Sequence, residues 1–383
     1  MRIVHITPHL PPDQAANALL PFHLGEWARA RGDSVQFIAH PPALSSVEGP
    51  AGDTSPDIAW IPRTRRSLAQ RLLRTGSVAG AWRIRRVAEP IIRAADLVHV
   101  HSNGLLPEIG THLARQLGTP VVLTLYGTEI WHYRRRRFGP DLFTRAYREA
   151  DAVTFYSERL FERAKELGLG RPGCRVVYPP VAKAFAHHDP EAQQRERRAL
   201  GIDADHLLVN VKRLHPLAGQ RYLLEAMRGV IAARPRTHLV ICGNGALLPE
   251  LRNQARSAGV DAHVTFAGLV DNATVARYCA AADLFVLPSL LEALPTVAVE
   301  ALACGTPVIS SDNPGGVELH GLFGADVDVV PREDSRALAD AIVAALGRSR
   351  RTVPSTQAVI EHRFRADAVA RQYYDVYADV VRQ

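Results

Sequence analysis

Ten short apolar runs punctuate this chain, and segments with helical spacing alternate with them. RIVHIT, DSVQFIAH, DLVHVHS, PVVLTLYG and DAVTFYS fall in the first half; LLVNVKRL, THLVICGNG, AHVTFAG, DLFVLPS and PVISSD fall in the second. Strands that are apolar throughout, rather than alternating, must be covered on both faces. Interleaved with helices such as LLPFHLGEWARARG and QRYLLEAMRGVIAARP, they predict parallel sheets wrapped by helices. The pattern occurs once per half, and a length of 383 residues suits two domains of ordinary size.

The expectation is therefore α/β, with two Rossmann-like doubly wound parallel-sheet domains facing a central cleft. The stretch VVYPPVAKAFAHHDPEAQQRERRALG opens on two prolines and turns polar, so it reads as a linker. That divides the chain into residues 1–189, an N-terminal Rossmann-like domain, and residues 190–365, a C-terminal Rossmann-like domain. Residues 366–383, with ADAVARQYYDVYADVV, form an amphipathic helix expected to pack back on the first domain.

No run approaches the roughly 18 uninterrupted apolar residues of a membrane span. MRIVHITPHL begins like a strand, and Cys174, Cys242, Cys279 and Cys304 are scattered without metal-binding spacing. A cytoplasmic protein is expected. Its net charge of +7 is unevenly distributed: Arg63 to Arg93 holds nine arginines against Glu89 alone, and Arg134 to Arg137 forms a second run. Such runs are solvated helix faces or attract an anionic acceptor or the inner face of a membrane. The runs lack interleaved aromatics, so nucleic acid is not an expected partner.

Chemistry concentrates in SLLEALPTVAVEALACGTPVIS, which begins at Ser289. Two carboxylates, Glu292 and Glu300, stand in an otherwise apolar stretch, and burying an unpaired carboxylate is costly. DLFVLPS predicts a strand and LPTVAVEALACG a helix, with Pro295 near its start and Gly305 past its end. Glu292 then lies in the strand-to-helix turn and Glu300 inside the helix. A helix start attracts phosphate. Sugar, diphosphate and ribose would meet Glu292, the helix start and Glu300 in that order. Pairing with arginines or amides is the alternative reading of both carboxylates.

At these residues the sequence resembles the retaining glycosyltransferases of family 4, whose fold is GT-B. The matching features are Glu292, seven residues, Glu300, then GTPVIS and Gly315-Gly316. Around them lie VKRL, ICGNGALLPEL, VTFAGLV and AADLFVLPS. ITPHLPP, DLVHVHSNG and TLYGTEI match more loosely. The resemblance implies a hexosyl- or related transferase moving a sugar from a nucleotide-sugar donor to a hydroxyl acceptor. That acceptor is a small molecule or a glycolipid or polysaccharide precursor. It implies that Glu292 contacts the donor sugar, Glu300 the ribose, and Arg213 the diphosphate. Amides near Ala293 and Leu294, with Thr296 beside them, complete the phosphate cradle. Gly243 and Gly245 let the chain pass close to the nucleotide. No cofactor or metal is implied.

Three departures from the family pattern accompany these matches. Ala218 stands where a phosphate-binding lysine is usual, five residues after the arginine, with Lys212 or Arg221 as a substitute. Ala15 and Ala16 replace paired glycines in the first loop. Tyr126 replaces a histidine that lines the reaction centre, so it is expected to orient rather than deprotonate. His101, Tyr126 and Glu129, with Ala15 and Ala16, are the expected acceptor contacts, and Trp131 and His132 lie beside them. His99 and His101, two apart on one strand, are read as strand packing rather than a metal pair. His9 and His215 border the two expected loops. Two rival functions remain: a non-catalytic nucleotide-sugar-binding subunit, and a pseudo-glycosyltransferase or epimerase on the same fold.

Overall fold

The computed structural model describes residues 1–11, 13, 16–42, 57–63, 77–135 and 141–382. Ala15, the side chain of Ala16, and Arg65, Arg66, Arg71, Arg74, Arg136 and Arg137 of the basic runs lie outside the described residues. The chain forms two compact units: Met1–Pro179 with Val369–Gln383, and Pro180–Ala368.

The first unit holds seven strands: β1 (Arg2–Thr7), β2 (Ser34–Ala39), β3 (Ile58–Trp60), β4 (Leu97–His101), β5 (Val121–Leu125), β6 (Ala152–Phe155) and β7 (Cys174–Val176). They pair in the order β3-β2-β1-β4-β5-β6-β7, all parallel. β1, β4 and β5 are buried almost throughout, as continuous apolar runs require. One face is covered by helices including Val78–Arg93 and Leu105–Leu117. On the other, the helix Ala16–Ala30 meets the last helix, Ala366–Val381, whose Val369, Tyr373, Val376 and Tyr377 pack against Ile3, Leu24 and Phe37.

In the second unit lie β8 (His206–Val211), β9 (Thr237–Cys242), β10 (Val264–Gly268), β11 (Leu284–Leu287), β12 (Val308–Ser311) and β13 (Val327–Val330). Their order is β10-β9-β8-β11-β12-β13, again parallel. Helices Gln220–Ala233 and Ser335–Arg348 close one face over Leu208, Ile241 and Val286.

Two sequence expectations shift. The unit boundary falls at Pro179–Pro180 rather than near Pro190. The polar stretch read as a linker contains the helix Pro190–Ala199, capped by Asp189. That helix is docked by buried polar side chains: Gln193 donates to the Ala282 carbonyl at 2.8 Å, and Arg197 reaches the Ala281 carbonyl and Asp283. A polar stretch that buries its polarity in hydrogen bonds lacks the apolar stripe by which helices are recognised.

Candidate active site

The second sheet changes direction between β8 and β11: β9 and β10 extend on one side, β12 and β13 on the other. Loops leaving the carboxyl ends of such a pair run apart and leave a crevice. Here the loop after β8 carries Lys212 and Arg213, and the loop after β11 carries Glu292. Lys212 Nζ lies 2.5 Å from Glu292 Oε1. Arg213 is exposed and makes no ion pair among the described residues.

The loops are locked by backbone contact. Gly219 sits at φ +69, and a Cβ there would lie 2.0 Å from the Pro288 carbonyl oxygen. Leu290 N–H donates to the Leu217 carbonyl at 2.8 Å. Gly315 N–H donates to the Glu292 carbonyl at 3.1 Å, and a Cβ at Gly315 would lie 2.9 Å from Glu292 Cβ and Pro295 Cδ. Glu292 is thereby fixed at the mouth of the turn.

Two helices start at this edge and end their chains differently. Asn313 caps the helix Pro314–Phe323, its Oδ1 accepting from Gly316 N–H at 3.0 Å. Its amide nitrogen donates to the Ser289 carbonyl at 2.9 Å. The helix Thr296–Ala303 begins after Pro295, whose side chain has no acceptor to cap it. Its first N–H groups and dipole are left for an anion. Ala293 and Thr296 are half-buried around this start, and Leu294 is buried.

Glu300 lies within that helix, half-buried, and makes no ion pair among the described residues. Burial pushes its carboxyl up to about 7. A desolvated carboxylate without a partner is a ready acceptor for hydroxyl groups. Ala218 is buried, 2% exposed, and among the described residues the ammonium at this edge is that of Lys212. His215 caps the short turn Pro216–Ala218 through its Nδ1.

Gly243 and Gly245 have a close backbone neighbour within the protein itself. A Cβ at Gly243, where φ is +140, would lie 2.1 Å from the Lys212 carbonyl oxygen, and one at Gly245 2.2 Å from that of Leu214. Their bareness admits the neighbouring 212–214 loop. They therefore shape the site by letting that loop pack down.

In the first unit the corresponding edge is filled. Glu129, 4% exposed, accepts from Ser102 Oγ at 2.6 Å and from Gly127 and Tyr126 N–H at 2.8 and 3.3 Å. This holds Ser102 at φ +67, a strained value for a residue with a side chain. His5, His99 and His101 are buried together. His101 Nε2 meets His5 Nδ1 at 3.0 Å and His101 Nδ1 meets the Tyr126 hydroxyl at 2.8 Å. His99 bonds Tyr377 and Thr124, both at 2.7 Å. Burial holds His5 down to about 3 and His99 and His101 well below the ordinary range, so all three are neutral at pH 7. Their nitrogens lie within 4.8 Å of one another, close enough for a shared metal. Every ring nitrogen except His5 Nε2 already has a partner, however, and among the described residues no carboxylate joins the group, so the arrangement is that of a packed hydrogen-bond network.

His101 and Glu129 thus face inward, contrary to their expected acceptor contacts. Burial raises the Tyr126 hydroxyl well above its ordinary value, so it cannot serve as a base. Asn313 and Gly219 were not singled out by sequence, whereas Gly315 was, as part of the paired glycines. N-P-G-G after a strand, an N-cap followed by proline at the first helical position, was the available signal. A cavity of about 240 Å³ lies at the opposite edge of the second sheet. Its arginines are already engaged, Arg348 by Asp328, Arg350 by Asp326 and Arg351 by the carbonyls of His188, Ala282 and Cys304, so it is a poor candidate for the anion site.

Comparison with known proteins bears on the family and the fold. A profile described as Glycosyltransferase Family 4 matches residues 22–185, and one described as Glycosyl transferases group 1 matches residues 192–355. The uncharacterized glycosyltransferase MJ1607 of Methanocaldococcus jannaschii is 31% identical over 295 residues, 74% of this chain and 75% of its own. A GDP-mannose-dependent alpha-(1-6)-phosphatidylinositol monomannoside mannosyltransferase of Mycolicibacterium smegmatis is 30% identical over 253 residues, covering 60% of this chain and 63% of the enzyme. The crystal structure of Anabaena HepE in complex with UDP covers 99% of this chain with a TM-score of 0.74 at 19% identity, a likeness of fold. The fold is GT-B, and the site lies on its second unit. The chain belongs to glycosyltransferase family 4.

Proposed function

We propose that the protein transfers a sugar from a nucleoside diphosphate donor to an acceptor hydroxyl with retention of configuration. One observation carries this reading. An unengaged arginine, an uncapped helix start and a desolvated, unpaired carboxylate converge at the switch point of one sheet, beside the Lys212–Glu292 ion pair. Arg213 and Lys212 neutralise the diphosphate with the amides of Ala293, Leu294 and Thr296, and Glu300 accepts from the ribose hydroxyls. Glu292 receives hydroxyls of the donor sugar. Lys212 moves from Glu292 toward the phosphates when the donor arrives, supplying the charge that Ala218 lacks.

The acceptor oxygen attacks the anomeric carbon from the face that the diphosphate leaves. The bond from carbon to phosphate oxygen breaks as the new one forms, and the acceptor proton passes to a donor phosphate oxygen. Fixed positive charge at the leaving group lowers the barrier. Glu292, ion-paired at its mouth position, is not required as a nucleophile, unlike the carboxylates of retaining glycosidases. Two cations and a helix start meet the phosphate charge, so turnover is expected to survive chelators.

The test is a melting panel with UDP, GDP, ADP and dTDP, since ligands that bind the native state raise its melting temperature. One nucleotide should give a clear shift, weakened by Arg213→Ala and by Lys212→Ala. Ala218→Lys should restore part of the second loss. Nucleotide release from the matching sugar donor should then require an acceptor, and the product should keep the donor's anomeric form. Failure of every nucleotide to bind would remove the reading. Binding without turnover across acceptors would leave a nucleotide-sugar-binding subunit.

A further inference from the structure

The helix Val78–Arg93 buries Gly80, Ile84, Ala88 and Ile92 and turns its other face outward. That outer face is unusual at its amino-terminal end. Val78 is 82% exposed and Trp82 62% exposed, one turn apart on the same side. Large apolar side chains exposed together mark a surface meant to be covered. Continuing along this side by helical spacing come Arg86 and Arg93, with Arg83 and Arg85 flanking. Four arginines oppose the single Glu89, which is bonded by Arg85 at 3.2 Å and Arg93 at 2.9 Å, so no acid faces outward unpaired. Arg86 lies over the Trp82 ring, 5.5 Å from its centroid.

We infer that this face docks on an anionic lipid bilayer, with Val78 and Trp82 entering the interface and the arginines on lipid headgroups. Tryptophan at the headgroup level with arginines beside it is the composition of interfacial helices, and either signal alone binds weakly. A soluble partner would have to match an apolar turn followed by a basic stripe; a bilayer with acidic headgroups offers both over any area. The inference extends the proposed transfer reaction by putting the acceptor at a membrane surface. A cavity of about 170 Å³ adjoins the apolar end of the helix, lined by His40, Arg63, Ser77, Gly80, Ile84 and Leu105.

The experiment is co-sedimentation of the full chain with vesicles of phosphatidylcholine alone or mixed with phosphatidylglycerol. Binding should be confined to the mixed vesicles and fall with added salt. Each of Arg83→Gln and Arg86→Gln should lower the partition coefficient about fivefold, as expected for one basic residue near an acidic membrane. Val78→Ser with Trp82→Ser should lower it further and abolish the blue shift of tryptophan fluorescence on binding. These side chains are exposed, and the melting-temperature shift with nucleotide should stay unchanged in every variant. A wild type that ignores vesicles, binds both kinds alike, or binds equally well after substitution overturns the inference. Nucleotide binding without vesicle binding would reject only the docking face. Vesicle binding without nucleotide binding would reject only the donor site.

Discussion

The two sheets share a topology but finish their carboxyl edges in opposite ways. At the first, polar groups are turned on one another: Glu129 on Ser102 and two amides, His101 on His5 and Tyr126. At the second, Arg213 and Glu300 have no partner among the described residues and one helix start has no cap. A satisfied polar network rigidifies its surroundings, whereas an unsatisfied one holds its interaction energy for a ligand. The first edge is built as a support and the second as a receptor.

Removing a member of the support should cost the fold rather than the ligand. Glu129→Ala leaves a hydroxyl and two backbone amides without their acceptor and releases Ser102 from its left-handed backbone. A loss of about 3 kcal/mol in stability is expected. Nucleotide affinity per folded molecule should not change. Thermal melting with and without nucleotide separates the two, and a selective loss of binding would break the contrast.

The receptor should behave in the opposite way, and pH exposes it. The Glu300 carboxyl is pushed up to about 7 by burial. Raised in the folded state, it takes up a proton on folding, so its ionisation disfavours the native form. Stability should decline as pH rises from about 4.5 to about 7 and then level off. Glu300→Gln should remove this slope. Ribose hydroxyls donate best to the ionised carboxylate, so nucleotide affinity should rise through pH 7 in the wild type and stay flat in Glu300→Gln. At pH 8 the variant should bind about 2 kcal/mol more weakly. A nucleotide that binds both proteins alike across this range would detach Glu300 from the ribose.

Both sheets were legible because buried parallel strands leave continuous apolar runs, as in DLVHVHS and DLFVLPS. The short edge strands β3, β7 and β13 escaped, since three or four half-covered residues such as Ile58–Trp60 carry little pattern. Glu292 and Glu300 stood out because charge in an apolar stretch demands a reason. The inward turn of Glu129 and His101 did not show, because their partners Ser102, His5 and Tyr126 come together only when β1, β4 and β5 align. A packing role of two glycines was hidden for the same reason. The family resemblance placed Gly243 and Gly245 near the site, but only coordinates show that their neighbour is the carbonyl of Lys212 or Leu214.

The two helix starts of the second edge offer the finest version of the contrast. Asn313→Ala should cost about 1 kcal/mol through loss of its cap and leave nucleotide binding nearly intact. The reverse change, Pro295→Ser, installs a hydroxyl able to accept from the amides of the open helix. It should raise stability by about 0.5 kcal/mol and weaken nucleotide binding by a similar amount, because cap and phosphate compete for the same N–H groups. The gain and the loss come from one set of donors, so they should appear together: the stabilised variant should show the smaller melting shift with nucleotide. A Pro295→Ser protein that gained stability while binding nucleotide as before would mean that the phosphates bypass this helix. The cations Lys212 and Arg213 would then hold them alone.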